Sequence, residues 1–392
     1  MISKRVEKIQ PSFTLEMTSK AADLRRKGID VINLGVGEPD FNTPVNIREA
    51  AIQAMNEGHT KYTPGKGTYE VREAICKKLK RDNNVNYNSN QIIVSSGAKH
   101  SLSTLFQAIL NPGDEVIIFS PYWVSFPDII RLADGNPITV ETNPNENFSP
   151  NWKDFHSKIS NKTKAVLINS PSNPTGSVWN NEIIEEILKI SKKNNWIVVS
   201  DECYEKLVYD SDYECTELIN KQNKIGANVI TVQSMSKTYA MTGWRIGYTA
   251  CDENIINAMS KIQGQATSCP NSIGQKAAIE ALIGDQKEIN DMKKIFKQRR
   301  DIMINRLNKI PKVNCQLPGG AFYAFPDISY YLSDKISNSF ILSDYILDKA
   351  NTVTVAGAGF GMDGFIRLSY ATDVEIFLEG INRIENTLLN LN

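Results

Sequence analysis

Five short apolar runs, at residues 92–95, 115–119, 165–168, 196–200 and 229–232, recur down the first two thirds of this 392-residue chain. Segments with helical spacing, over 46–56, 69–83, 99–110 and 181–194, alternate with them. Runs of four or five apolar residues are too short for helices. Strands alternating with amphipathic helices imply a mostly parallel sheet covered on both faces. Beyond about Glu288 the character changes: a charged helix over 293–307, short strands at 322–325 and 352–355, and a closing helix over 374–389. That reads as a smaller α+β domain. The expected division is residues 1–45 joining the small domain, 46–287 forming the large domain, and 288–392 the small one, in keeping with a length that favours about two domains. Stretches 143–152 and 327–339 read as polar, loop-like insertions.

Three polar residues follow predicted strands. Asn173 comes after the 165–168 run, Asp201 ends the 196–200 run, and Lys237 lies shortly after 229–232. In open α/β sheets ligands sit outside the carboxyl ends of strands, so one cleft can collect all three. Lys237 belongs to Ser234-Met235-Ser236-Lys237, with Arg245 eight residues on, ahead of Ile246-Gly247-Tyr248. An amine for a Schiff base, with hydroxyls and a guanidinium for a phosphate, is what holding pyridoxal phosphate requires. A carboxylate at Asp201 would keep a pyridine nitrogen protonated, and Asn173 and Tyr204 would donate to a phenolic oxygen. Each residue also has a plainer reading: Asp201 as a helix cap, Trp123 as core, Arg367 as a surface ion-pair residue.

The motifs together resemble a known family. Lys8-Ile9-Gln10-Pro11-Ser12-Phe13-Thr14, Gly37-Glu38-Pro39-Asp40-Phe41, Lys61-Tyr62-Thr63, Pro121-Tyr122-Trp123, Ser170-Pro171-Ser172-Asn173-Pro174-Thr175-Gly176, the Lys237 segment and Ile366-Arg367-Leu368-Ser369-Tyr370 occur in family order. The chain resembles class I aminotransferases of fold type I, and is most similar to bacterial and plastid aspartate/prephenate aminotransferases. The resemblance implies an α/β fold, with a large domain built on a mostly parallel seven-stranded sheet plus a smaller α+β domain. It implies pyridoxal 5'-phosphate as cofactor, with Lys237 as the Schiff-base lysine and Asp201 as the pyridine partner. Asn173 and Tyr204 would meet the phenolic oxygen, and Trp123 would stack on the ring. Gly97, Ala98, Lys99, Ser234, Ser236 and Arg245 would hold the phosphate, joined by Tyr62 from the partner subunit of a homodimer with shared sites. Arg367 would grip the substrate α-carboxylate near the Gly35 backbone, with Trp123 and Asn173 beside it.

The same resemblance bears on the substrate. One subgroup reads a distal carboxylate with an arginine in the stretch that here is 261–268, and no arginine occurs there. In the subgroup this chain resembles, a lysine at Lys99 and a threonine at Thr14 do that work. The expected reaction is amino-group exchange between L-aspartate or L-glutamate and their 2-oxo acids, with prephenate as a further acceptor. An alanine or aromatic aminotransferase, and a non-catalytic regulator keeping the fold, are the alternatives. The family's Val-Pro-Gly is here Val355-Ala356-Gly357, an exchange expected to loosen that loop.

Composition narrows the remaining classes. Lys+Arg and Asp+Glu both number 44, which gives no electrostatic footprint for nucleic acid or an acidic membrane. The six cysteines lack CxxC spacing and read as free thiols of a cytoplasmic protein. The three histidines, His59, His100 and His156, form no triad or metal-ligand pattern, so no metal is expected. Residues 1–10 lack the apolar stretch of a secretory signal, and no run approaches the roughly 20 apolar residues of a membrane span.

Overall fold

β-Branched residues fill the five runs, and near-continuous apolar character of this kind suits strands buried on both faces. In the computed structural model all five runs lie in strands of one eight-stranded sheet. The structure describes residues 2–9, 13–209 and 213–391, without the side chains of residues 4, 5, 14, 15 and 18. From edge to edge the strands are Ile92–Ser95, Gly247–Ala250, Asn228–Ser234, Ile197–Asp201, Thr163–Asn169, Glu115–Ser120, Asn136–Asn143 and Ser149–Pro150. Gly247–Ala250 and Ser149–Pro150 run against their neighbours, and the other neighbouring pairs are parallel.

The alternation of side chains along a strand divides the core. Val116, Ile118, Leu167 and Val199 pack on one face with Leu102, Phe106 and Met259. Ile117, Val166, Ile168 and Val198 pack on the other with Ile184, Ile187 and Leu188. The helix Asn181–Asn194 begins where predicted because Asn180 caps it, its side chain accepting from the Ile183 N–H at 3.1 Å.

Outside this sheet, Ile32–Asn33 pairs in parallel with Thr352–Val353, which ties an early segment to the C-terminal third. Tyr323–Ala324, Ile366–Ser369 and Val355–Ala356 form a three-stranded antiparallel sheet. Phe296, Met303, Phe322, Phe377 and Leu388 share a core with Ile32 and Leu34.

The structure departs from the sequence expectations in instructive places. The large sheet has eight strands, not seven, because residues 143–152 are no simple loop: Ser149 and Pro150 pair with Asn143 and Thr142 at the edge. The charged helix starts at Lys287, not Lys293. The run at 352–355 is two strands in different sheets, one pairing with Ile32–Asn33 and one with Ile366–Ser369. Helix Ser272–Ile283 was not foreseen; it packs against helices Val45–Asn56 and Tyr69–Asn83, and its apolar side chains lie on more than one face. The Ala356 loop is not loose. Gly357 N–H donates to Phe365 O at 2.8 Å, Met362 N–H to Gly357 O at 3.1 Å, and Ala358 N–H to Ser339 Oγ at 3.0 Å. Among the described residues no helix is long and apolar enough to cross a membrane, and no cluster of metal-ligating residues occurs.

Candidate active site

Six strands of the large sheet point the same way, so their carboxyl ends meet at one edge. Asn169 and Asp201 stand opposite each other in the register there, and Ser234 stands opposite Gly247, two residues after Arg245. A cleft of about 590 Å³ opens at this edge. Its wall includes Gly35, Ala98, Lys99, Trp123, Asn173, Asp201, Tyr204, Ser234, Ser236, Lys237, Arg245 and Arg367, nearly all of the predicted site. Gly97 lies just behind, before helix Ala98–Ile109. Tyr62 does not join them: it is 90 % exposed, in the loop before Tyr69–Asn83. The side chain of Thr14 lies outside the described residues.

Three charged groups in the cleft have few partners: Asp201 and Arg367, which are buried, and Lys237, which is half-buried. Lys237, in the short helix Met235–Thr238, donates its amine to Gly37 O. Burial pushes that amine down to about 8, against the pull of Cys203 and Glu38. Asp201 accepts from the Cys203 N–H at 3.2 Å, which makes it a turn-former, not a helix cap. Its carboxyl is raised by burial, with hydrogen bonds from the Cys203 thiol and N–H and the Lys237 charge working the other way. Arg367 is 3 % exposed and sits in the middle strand of the small sheet. It donates from Nη1 to Asn173 Oδ1 at 2.9 Å and from Nη2 to Gly35 O at 2.7 Å, while its buried Nε has no partner among the described residues. Burial lowers this guanidinium from its ordinary value.

A second part of the cleft is built for an anion. Gly97 has φ +89° and offers no side-chain cap, which leaves the Ala98 and Lys99 N–H groups at the start of helix Ala98–Ile109 without a partner among the described residues. A Cβ at Gly97 would stand 2.4 Å from Arg245 Nη2, so only glycine lets the guanidinium lie across this turn. Ser234 and Ser236 turn their hydroxyls to each other at 2.8 Å. Lys99 lies in the first turn of the helix, with Nζ 4.9 Å from the centre of the Trp123 ring, and burial, with Arg245 nearby, lowers it. Among the described residues no carboxylate pairs with Lys99. The cleft wall carries five cations, Arg25, Lys99, Lys237, Arg245 and Arg367, against the carboxylates Glu38 and Asp201.

Sequence reasoning passed over several wall residues. Asn169 donates to Asp201 O at 3.1 Å and accepts from Asn173 N–H at 3.0 Å, so it fixes two predicted site residues. Its signal was a polar residue ending an apolar strand, as at Asp201. Tyr323 meets Tyr204 hydroxyl to hydroxyl at 2.9 Å. Nothing in Phe322-Tyr323-Ala324-Phe325 separates it from core. His100 accepts the Ser96 N–H on Nδ1 at 3.2 Å, a local role at the helix start.

Known proteins match this chain over nearly its whole length. The model of the aminotransferase class I and II family matches residues 29–384. An aspartate aminotransferase of Bacillus sp. (strain YM-2) is 45 % identical, the alignment covering 98 % of each chain. A probable aspartate/prephenate aminotransferase of Aquifex aeolicus is 42 % identical, over 99 % of this chain and 98 % of that one. The solved structure of the Thermus thermophilus aspartate aminotransferase with maleate superimposes with a TM-score of 0.93 at 37 % identity, covering 99 % of both chains. The chain therefore belongs to the aminotransferase class I and II family, and its fold is that of the fold type I enzymes.

Proposed function

We propose that the cleft holds pyridoxal 5'-phosphate and that the protein exchanges amino groups between L-aspartate or L-glutamate and their 2-oxo acids, with prephenate as a further acceptor. The observation that carries this reading is the set of under-partnered charges, two buried and one half-buried, that face the cleft. Asp201 meets only the N–H and thiol of Cys203, Lys237 one carbonyl, and Arg367 Nε no partner among the described residues. Buried polar groups are normally fully paired, so an open set of this kind marks a ligand site.

The residues fit the cofactor. Asp201 suits a protonated pyridine nitrogen, and Asn173 and Tyr204 suit a phenolic oxygen. Trp123 suits the ring face, and the Gly97–Lys99 helix start, with Ser234, Ser236 and Arg245, suits the phosphate. When bound, the cofactor supplies an electron sink for the carbanion left by loss of an α-proton. Lys237 would hold it covalently and, once released, carry that proton on Nζ, burial having brought the amine down to about 8, nearer neutral pH than a free lysine. Arg367 would turn toward the α-carboxylate, for which its planar fork is suited. Lys99 would meet a distal carboxylate as a point charge. The relative solved with maleate, a dicarboxylate, supports an acidic substrate.

The exposure of Tyr62 supports a role in a second copy's cleft and hence a homodimer. The pairing of residues 32–33 with 352–353 supports the division into residues 1–45 with 288–392 as the small domain and 46–287 as the large one. Six unpaired thiols support a cytoplasmic setting.

The deciding experiment is the absorption spectrum of the protein with cofactor, before and after L-aspartate without any oxo acid. A visible band that gives way to the ultraviolet band of the aminated cofactor is the expected result. A band that L-aspartate leaves unmoved but L-alanine or an aromatic amino acid discharges would overturn the acidic substrate. A protein that develops no band would overturn the enzyme reading.

A further inference from the structure

Tyr323 has no part in the reading above, yet it touches both halves of the site. It is completely buried in the strand Tyr323–Ala324, which pairs with the Arg367 strand. Its hydroxyl meets that of Tyr204 at 2.9 Å. The guanidinium carbon of Arg367 lies 4.5 Å from the centre of its ring. Gly37 lies beside the same hydroxyl, where a Cβ would make an ordinary contact at 3.5 Å. The titratable groups facing the two phenols are Arg367 and Cys203, with Asp201 and Lys237 on the same cleft wall.

We propose that Tyr323 is a positioning residue that couples the carboxylate-gripping guanidinium of Arg367 to the hydroxyl of Tyr204. A phenol has one proton to donate. If Tyr204 gives its proton to the cofactor's phenolic oxygen, the bond between the phenols runs one way: Tyr323 donates and Tyr204 accepts. Donation into the Tyr204 oxygen polarises its O–H and strengthens the bond onward. The ring face of the same side chain supports the Arg367 cation. One rigid residue thus serves the two groups that grip cofactor and substrate.

The proposal rests on the pyridoxal phosphate reading, and the test separates the two. Wild type, Tyr323→Phe and Tyr323→Leu are loaded with cofactor. The midpoint of the pH titration of the visible band is measured without substrate, and the dissociation constant of maleate, which has no amino or oxo group to exchange, is measured by difference spectra. Tyr323→Phe keeps the ring and loses the hydroxyl, so its midpoint rises by about 0.5 unit. Its maleate affinity stays within about twofold of wild type. Tyr323→Leu shows the same rise and binds maleate about tenfold more weakly. A Tyr323→Phe midpoint equal to that of wild type overturns the coupling even if the variant melts lower, because lost packing alone leaves the midpoint in place. Should Tyr323→Leu fail to fold, the Tyr323→Phe midpoint decides. Equal maleate affinity in both variants overturns the part played by the ring. A wild type with no visible band is instead the failure of the cofactor reading.

Discussion

Lys78, fully buried, and Lys237, half-buried in the cleft, are both lysines that desolvation draws below the ordinary range, yet their surroundings are opposite. Lys78 pairs with Glu205 and donates to Asn83 Oδ1 at 2.9 Å and Gln233 Oε1 at 3.2 Å. Glu205 in turn accepts from Asn83 and Gln233, each at 2.8 Å. That network is closed. Around Lys237 the counterparts stay open: a carbonyl for the amine, only Cys203 for the Asp201 carboxylate, and no acceptor for Arg367 Nε among the described residues. A buried charge pair with every valence met holds a structure together, whereas buried charges with valences to spare cost stability that only a ligand returns. The two clusters adjoin in sequence, Gln233 beside Ser234 and Glu205 beside Tyr204, so the closed one backs the open one.

The sharpest way to break this contrast is to remove each lysine. Lys237→Ala is expected to lower turnover by at least about 10³-fold, the scale of a lost proton carrier. The cofactor-free variant should be no less stable than wild type, as read by thermal melting. A clear loss of stability would make Lys237 a structural residue like Lys78. The pH dependence follows from the same amine. Below about 8 Lys237 is charged in both folded and unfolded chains, and folding bears the full cost of burying it. Between about 8 and the ordinary value of 10.5 the unfolded chain holds the proton and the folded one does not, so stability rises with pH. The stability advantage of a cofactor-free Lys237→Met over wild type should therefore be largest below pH 8 and fade toward pH 10.5, in denaturant titrations across that window.

Lys78→Met should do the reverse. It strands the Glu205 carboxylate and should cost about 3–5 kcal/mol by denaturant unfolding, while the fraction still folded retains turnover. Lys78→Met with Glu205→Leu should recover most of that loss. A single variant that keeps its stability and loses activity would place Lys78 in the open cluster.

Arg367→Lys tests geometry within the open cluster. A lysine keeps the charge and loses the fork, so kcat/KM should fall by about 10- to 100-fold with little change in melting. A fall confined to stability would show that the contacts to Asn173 and Gly35 matter more than substrate binding.

The smallest expected effect concerns the frame around Arg367. Ala356 already has φ −59°, the value a proline ring fixes, and the neighbouring Gly357 N–H is the one that pairs with Phe365 O. Ala356→Pro should add about 0.4–1 kcal/mol and leave activity unchanged. Destabilisation would mean that the strand holding the open cluster needs the freedom alanine gives it.

Much of this was legible because local chemistry recurs at fixed places. The short β-branched runs specified the strands of the large sheet, and the Asn180 cap fixed one helix start. The pattern of a polar residue closing or following an apolar run was enough to single out Asn173, Asp201 and Lys237. Tyr323 was not legible, since an aromatic in an apolar tetrapeptide reads as core whether or not its hydroxyl reaches a site. The Ser149–Pro150 strand was missed because a strand of two residues carries no periodicity. The looseness expected of Ala356 was misjudged because backbone freedom was weighed without the hydrogen bonds that tie residues 357–362.

The sequence by itself determined which groups are present and which strand each one follows. Those properties depend on residue type and on patterns a few residues long. Tertiary structure decided which charges are paired and which are left open. It closed Lys78 against Glu205 across 127 positions and set Arg367 against Asn173 across 194. Nothing in the spacing of lysines along a chain separates the two, because a buried charge becomes structural or chemical only through the partners that distant segments bring to it.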